Sequence, residues 1–170
     1  MSDPHEAVRE TVAEDVETTL GEGRLILPGV QTLFGFQLTV LYTTTFQEKL
    51  SLRDQAFHVA SLALVAVAIA VMVFPAAYHR QVTPGVVSRN FARLVDRAMQ
   101  CALALVSLAM TLTMYVIIDV VFRSTLASAI SAFMTFSLFV GLWFVVPRLG
   151  RNRRTYQEVV AESSSRSDNP

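Results

Sequence analysis

Among the long apolar runs of this chain stand a few polar side chains whose types and spacing could support chemistry. Gln31 and Gln37 fall in the first run, with Thr39 close behind them. A helix rises about 1.5 Å per residue, so Gln31 lies about 9 Å and Gln37 about 18 Å along the axis from Leu25. That spacing predicts Gln37 near the middle of a bilayer. A glutamine at that depth either lines a polar site or pore, or makes an interhelical hydrogen bond worth about 0.6–2 kcal/mol. Thr39 and the threonines that follow have a further option, a bond to their own helix backbone.

A second group, Glu48, Asp54, Asp119 and Arg123, forms a candidate outer ionisable layer. Asp119 and Arg123 are one helical turn apart and can pair. Asp119 is about 33 Å along the helix from Arg97, which puts it close to the outer interface. The pair reads either as a cap on the third helix at the headgroups or as the outer vestibule of a cation path. A third group, Tyr78, His79 and Arg80 with Arg89, Arg93 and Arg97, forms a candidate cluster at the inner interface. His79 there is either a solvated interfacial side chain or a pH sensor. The arginines recur every four residues, a basic stripe that attracts anionic lipid by about 1 kcal/mol each near the surface, or faces the acidic N-terminal segment. His58 and His79 stand about 31 Å apart on one helix, so they cannot share a metal or clamp a haem. One cysteine, Cys101, cannot form an intrachain disulfide. The chain carries no nucleophile–base set, Gly-rich phosphate loop or metal-ligand spacing. No enzyme activity, no cofactor, no metal and no nucleic-acid partner are therefore expected.

The elements that must position these residues are four apolar runs, at Leu25–Phe46, Ala56–Tyr78, Ala98–Phe122 and Ser124–Val146. About 20 apolar residues suffice for a helix to cross the hydrocarbon core of a bilayer. The chain is 52% hydrophobic and 16% charged, with a mean hydropathy of +0.44, whereas a soluble domain is usually about 25% charged. The pattern predicts an all-α polytopic membrane protein, an antiparallel bundle of four transmembrane helices. Its domain plan is an acidic, mostly disordered segment over 1–22, in which Glu6–Glu17 could form a weak surface helix, a membrane domain over 23–148, and a basic then Ser-rich disordered tail over 149–170. Pro28-Gly29 should open the first helix and Pro75 should kink the second. Pro84-Gly85 should mark a turn, Ser88 should cap the third helix, and Pro147 should close the fourth. The short link near Phe122–Thr125 makes the last two helices neighbours.

Positive residues choose the threading, because Lys and Arg in short loops stay cytoplasmic. With both termini and the middle loop inside, eleven of the Lys and Arg residues lie inside and three, Lys49, Arg53 and Arg123, outside. An even number of spans also requires both termini on one side. Dense small residues, such as Ala60, Ser61 and Ala63, or Ser124, Ser128, Ser131 and Thr135, favour close helix approach.

Two stretches, LPGVQTLFGFQL at Leu27–Leu38 and FPAAYHR at Phe74–Arg80, resemble the signatures of an uncharacterised, domain-of-unknown-function family of small four-helix bacterial integral membrane proteins. The resemblance covers about Glu22 to Arg148. It implies a multi-pass protein of the bacterial inner membrane with no assigned activity, although some members bear the label sodium:proton antiporter. The expected partners are the lipid bilayer, anionic headgroups on the cytoplasmic side, and further copies of the chain or another membrane protein. Two functions compete: a non-enzymatic scaffold or accessory subunit acting by helix association, and an oligomeric cation or proton transporter or channel subunit.

Overall fold

The computed structural model describes residues 4–82 and 89–150. Every regular element among them is helical. Helix α1 runs Pro4–Leu41, α2 Thr44–Lys49, α3 Leu52–Val82, α4 Arg89–Phe122 and α5 Thr125–Val140. A π-helical turn over Gly141–Val145 follows, and helix resumes as far as Gly150. Four stretches are long and apolar enough to cross a membrane: Val16–Leu41, Leu52–Val82, Arg89–Phe122 and Thr125–Gly150.

From Pro4 onward the acidic N-terminal segment, where a mostly disordered stretch or a weak surface helix over Glu6–Glu17 is expected, is one helix with the first span. Isolated helix is marginal in water and is sustained by packing of an apolar face. Here Val16 and Leu20, one turn apart, pack on Phe91 and Val95 of α4. Pro28 therefore lies inside α1 and does not open it. The Thr32 hydroxyl donates to the Pro28 carbonyl at 2.8 Å.

The end of α1 corrects the sequence expectation. The first apolar run was expected to continue to Phe46, but the helix stops at Leu41. Its last turn tightens, with Tyr42 and Thr43 N–H groups on the Thr39 and Val40 carbonyls at 3.1 Å. Thr43 then turns extended and caps α2, accepting from the Phe46 N–H at 3.3 Å. Ser51 does the same for α3, accepting from the Asp54 N–H at 3.3 Å. Gln37 is thus four residues from the end of its helix, about 6 Å, rather than mid-span.

Pro147 does not close the last helix. It lacks an N–H for the Trp143 carbonyl, and the preceding turn widens to the π form, with the Val146 N–H reaching the Gly141 carbonyl. Helix α3 continues through Pro75, which is buried. The turn at Pro84-Gly85, the Ser88 cap and the tail beyond Gly150 lie outside the described residues.

Helix α3 packs chiefly on α4, α4 also on α5, and α1 on both α3 and α4. The core joins Val30, Val65, Ala68, Val106 and Ala109, flanked by Leu33, Phe34, Leu64 and Trp143. Ala68 and Ala109 are wholly buried, and their size lets α3 and α4 approach closely. Helices α4 and α5 are joined by Arg123 and Ser124 alone. Arg123 takes a φ of 52°, and Ser124 caps α5 by accepting from the Ala127 N–H at 3.4 Å.

Candidate functional site

The C-terminal part of α1, the start of α3 and the C-terminal part of α4 meet beneath α2, and the buried polar side chains gather there. Two layers are built from adjacent turns of α3, where Asp54, His58, Ser61, Val65 and Ala68 form one buried face.

The layer nearer the chain turns is ionic. Arg53 donates to Asp119 Oδ2 at 3.0 Å and lies 3.7 Å from Asp54 Oδ1. Asp54 is 2% exposed and Asp119 9%. The Ser51 hydroxyl donates to Asp54 Oδ2 at 2.5 Å, and Ser128 of α5 donates to Asp119 Oδ1 at 3.2 Å. Two buried carboxylates therefore share one guanidinium, with a hydroxyl on each. Asp54 Oδ1 keeps no hydrogen-bond donor. The Arg53 guanidinium also covers the Tyr115 ring, 5.5 Å from its centroid. This corrects the pairing expected from spacing: Asp119 binds Arg53, while the exposed Arg123 donates to the Lys49 carbonyl at 3.3 Å. The Arg123 N–H still donates to the Asp119 carbonyl at 2.9 Å, one turn back, but the left-handed backbone at Arg123 ends α4 and its guanidinium goes to the Lys49 carbonyl instead.

The second layer is neutral. Gln37 Nε2 donates to Ser61 Oγ at 3.0 Å and to Thr113 Oγ1 at 2.8 Å. The Ser61 and Thr113 hydroxyls both reach the Ala109 carbonyl, at 2.9 and 3.0 Å. His58 Nε2 bonds the Gln37 main-chain carbonyl at 2.9 Å, and its ring meets Phe46 of α2 edge-on. One amide thus ties α1 to both α3 and α4. Gln37 Oε1 is buried without a partner. Beneath this layer lies the apolar core of Val30, Val65, Ala68 and Val106.

The other sequence candidates lie apart from this site. Gln31 and Glu48 are exposed. Thr39 is exposed and bonds its own helix at the Gly35 carbonyl, 2.9 Å away. Tyr78, Arg80, Arg89, Arg93 and Arg97 are exposed, and the half-buried His79 ring lies 4.9 Å from that of Phe91. Arg89, Arg93 and Arg97 form no cluster with the Gln37 site; they flank the face where Val16 packs on Phe91 and Val95.

Sequence reasoning missed His58, Ser61 and Thr113 as members of the site. Asp54, His58 and Ser61 recur at intervals of four and three residues and continue into Val65 and Ala68, the period of a buried helix face. That period was the available signal. Thr113, half-buried on α4, carried none of its own. Among the described residues no group of three or more His, Cys, Asp or Glu side chains could hold a metal ion.

No curated protein and no solved structure matches this chain. The sequence model of a family of unknown function (DUF6328) matches residues 5–147, from the first turns of α1 to the π-helical turn and just beyond it, and the chain belongs to that family.

Proposed function

We propose that this chain is a non-enzymatic, multi-pass protein of the bacterial inner membrane that acts by helix association, as a scaffold or accessory subunit. Its four spans run antiparallel with both termini cytoplasmic. The observation that carries the reading is the last span. None of the residues in its most apolar window is buried within the chain, against about a quarter for the α3 and α4 spans. Ser128 anchors it to Asp119 at one end. The rest of the helix offers Phe133, Met134 and Leu138 outward, at 71%, 66% and 59% exposure. In a bilayer such a face is equally at home against lipid or another helix, so packing decides between them. A broad cleft with Met114, Ile118 and Met134 in its walls runs between α4 and α5 and supplies the relief that such packing needs.

The test is energy transfer between donor- and acceptor-labelled copies in liposomes, read as protein is diluted into lipid. Transfer above that of randomly mixed membrane proteins, lowered by Phe133→Ala, Met134→Ala and Leu138→Ala together, supports the reading. Transfer at the random level overturns association of the chain with itself.

A second reading, an oligomeric cation or proton transporter, is favoured by one observation: Asp54 and Asp119 are both buried and share a single cation, Arg53. Weighing against it, the polar layers end on an apolar one inside each copy. Flux of H⁺, Na⁺ or K⁺ into the same liposomes that vanishes in Asp54→Asn would establish transport.

A further inference from the structure

At the inner end of the hairpin formed by α4 and the last helix, Gln100 stands across a cleft of about 160 Å³ from Trp143, Phe144, Pro147 and Arg148. The geometry points to this cleft as a binding site for the phosphate headgroup of an anionic phospholipid. The inference rests on the chain spanning a bilayer and holds whether or not copies associate.

The first observation is depth. Both helices change from charged to apolar at this level: Ala98 opens the apolar run of α4 directly after Arg97, and Arg148 follows the run that ends at Val146. In a membrane-spanning chain that change falls at the headgroups, where the half-buried, amphipathic Trp143 also belongs.

The second is the chemistry of the lining. Among the described residues, neither the Gln100 side-chain amide nor the Trp143 indole N–H makes a hydrogen bond. Arg148 makes only a 3.4 Å bond to the Phe144 carbonyl of its own helix. Three donors thus surround the cleft without a strong acceptor. A phosphodiester supplies acceptor oxygens to all three and a charge to the guanidinium.

The third is charge. Arg97 and Arg93 are exposed about one and two turns before Gln100, and Asp96 is the carboxylate on that stretch. Among the described residues none of the three arginines forms an ion pair, with Asp96 or any other acid. Arg93 and Gln100 are seven residues apart, and a further two steps of seven lead to Met114, which lines the cleft between α4 and α5. They therefore continue the face of α4 that turns to α5. The exposed Glu17 and Glu22 belong to α1, which packs on the Phe91 and Val95 face of α4, turned away from Gln100. Positive charge is left in excess around the cleft, and basic pockets between membrane helices take anionic headgroups. The cleft is smaller than the roughly 300–1,000 Å³ of a site that encloses a whole small molecule. A headgroup needs no more, because its acyl chains stay in the bilayer.

Trp143 is the single tryptophan of the chain, so the cleft carries its own reporter. The experiment is quenching of its fluorescence in the full chain, reconstituted in phosphatidylcholine vesicles. Phosphatidylglycerol and phosphatidylcholine, each brominated near the head of the acyl chains, are added at equal mole fraction. Half-maximal quenching by the phosphatidylglycerol at about 5-fold lower mole fraction is expected, and equal quenching by the two lipids overturns the proposal. Arg148→Gln should bring the two lipids within about 2-fold of each other, and an undiminished preference would overturn the assignment. Arg89→Gln, three turns from Gln100, should leave the preference in place; a loss as large as that in Arg148→Gln would mean diffuse attraction to surface charge and overturn the cleft as the site. Gln100→Leu leaves the charge unchanged and should raise the mole fraction of phosphatidylglycerol needed by about 2-fold or more, whereas no change would again overturn the cleft. Excess inorganic phosphate, compared with chloride at equal ionic strength, should not reverse the quenching. Reversal by phosphate alone would assign the cleft to the free ion and overturn lipid as its occupant.

Discussion

Arg53 is the single cation between two buried carboxylates, and its removal tests what that arrangement contributes. In Arg53→Met, Asp119 keeps only the Ser128 hydroxyl and Asp54 only that of Ser51. Uncompensated buried charge is costly, but the Arg53 side chain is 46% exposed, which moderates the loss through solvent screening. The expected cost is about 1–3 kcal/mol, measured by equilibrium unfolding in mixed micelles. Adding Asp119→Asn in that background should recover part of the loss, because the amide no longer brings an unpaired charge. A double variant as unstable as the sum of the two single ones would show that Arg53 and Asp119 do not act together. At this scale the sequence was legible for the residue types and misleading for their pairing. The spacing of Asp119 and Arg123 allowed a bond within one helix. The bond that forms joins α3 to α4, because α4 ends in a left-handed turn at Arg123 and the start of α3 lies opposite.

The contact between α3 and α4 is the most extensive between elements, and small buried residues set its closeness. Ala68 is wholly buried at this contact, whereas Ala66, two residues away on the same helix, is exposed. Ala68→Leu must push the helices apart or strain its neighbours, a cost of about 1–3 kcal/mol. Ala66→Leu should change stability by less than about 0.5 kcal/mol. Comparing the two by thermal unfolding in detergent isolates packing from hydrophobicity, since both add the same side chain. Equal effects would mean that α3 faces α4 in another rotation. The existence of the helices was legible from their apolar runs. Their ends were less so, because Thr43 and Ser51 act as caps that begin α2 and α3, and hydropathy does not register a cap.

For the molecule as a whole, the threading rests on the distribution of positive residues, eleven against three. The exposed Cys101 would itself react with a thiol reagent, so Cys101→Ser is the background. Into it go Glu48→Cys, at an exposed position on α2, and separately Ser163→Cys in the C-terminal tail. A membrane-impermeant thiol reagent on intact cells is expected to label the first and not the second. The reverse pattern would invert the topology and place the Arg53–Asp119 layer on the cytoplasmic side. The same reagent after lysis should label both, which checks that each cysteine is reachable.

Composition alone determined that four helices of this chain can cross a membrane, because burying polar groups in hydrocarbon is so costly that a spanning segment must be apolar along its length. It also determined that Gln37 needs partners, since an amide in that setting cannot be left to lipid. Which partners it has was decided only in three dimensions. Ser61 lies 24 positions away and Thr113 lies 76, and nothing local to Gln37 selects either of them. The fold of the acidic N-terminal segment was settled in the same way. Its own sequence offers little apolar surface, and its helix rests on Phe91 and Val95, which α4 brings alongside Val16 and Leu20. Apolar length is a property of a segment, whereas hydrogen-bond pairing and shared burial are properties of segments brought together.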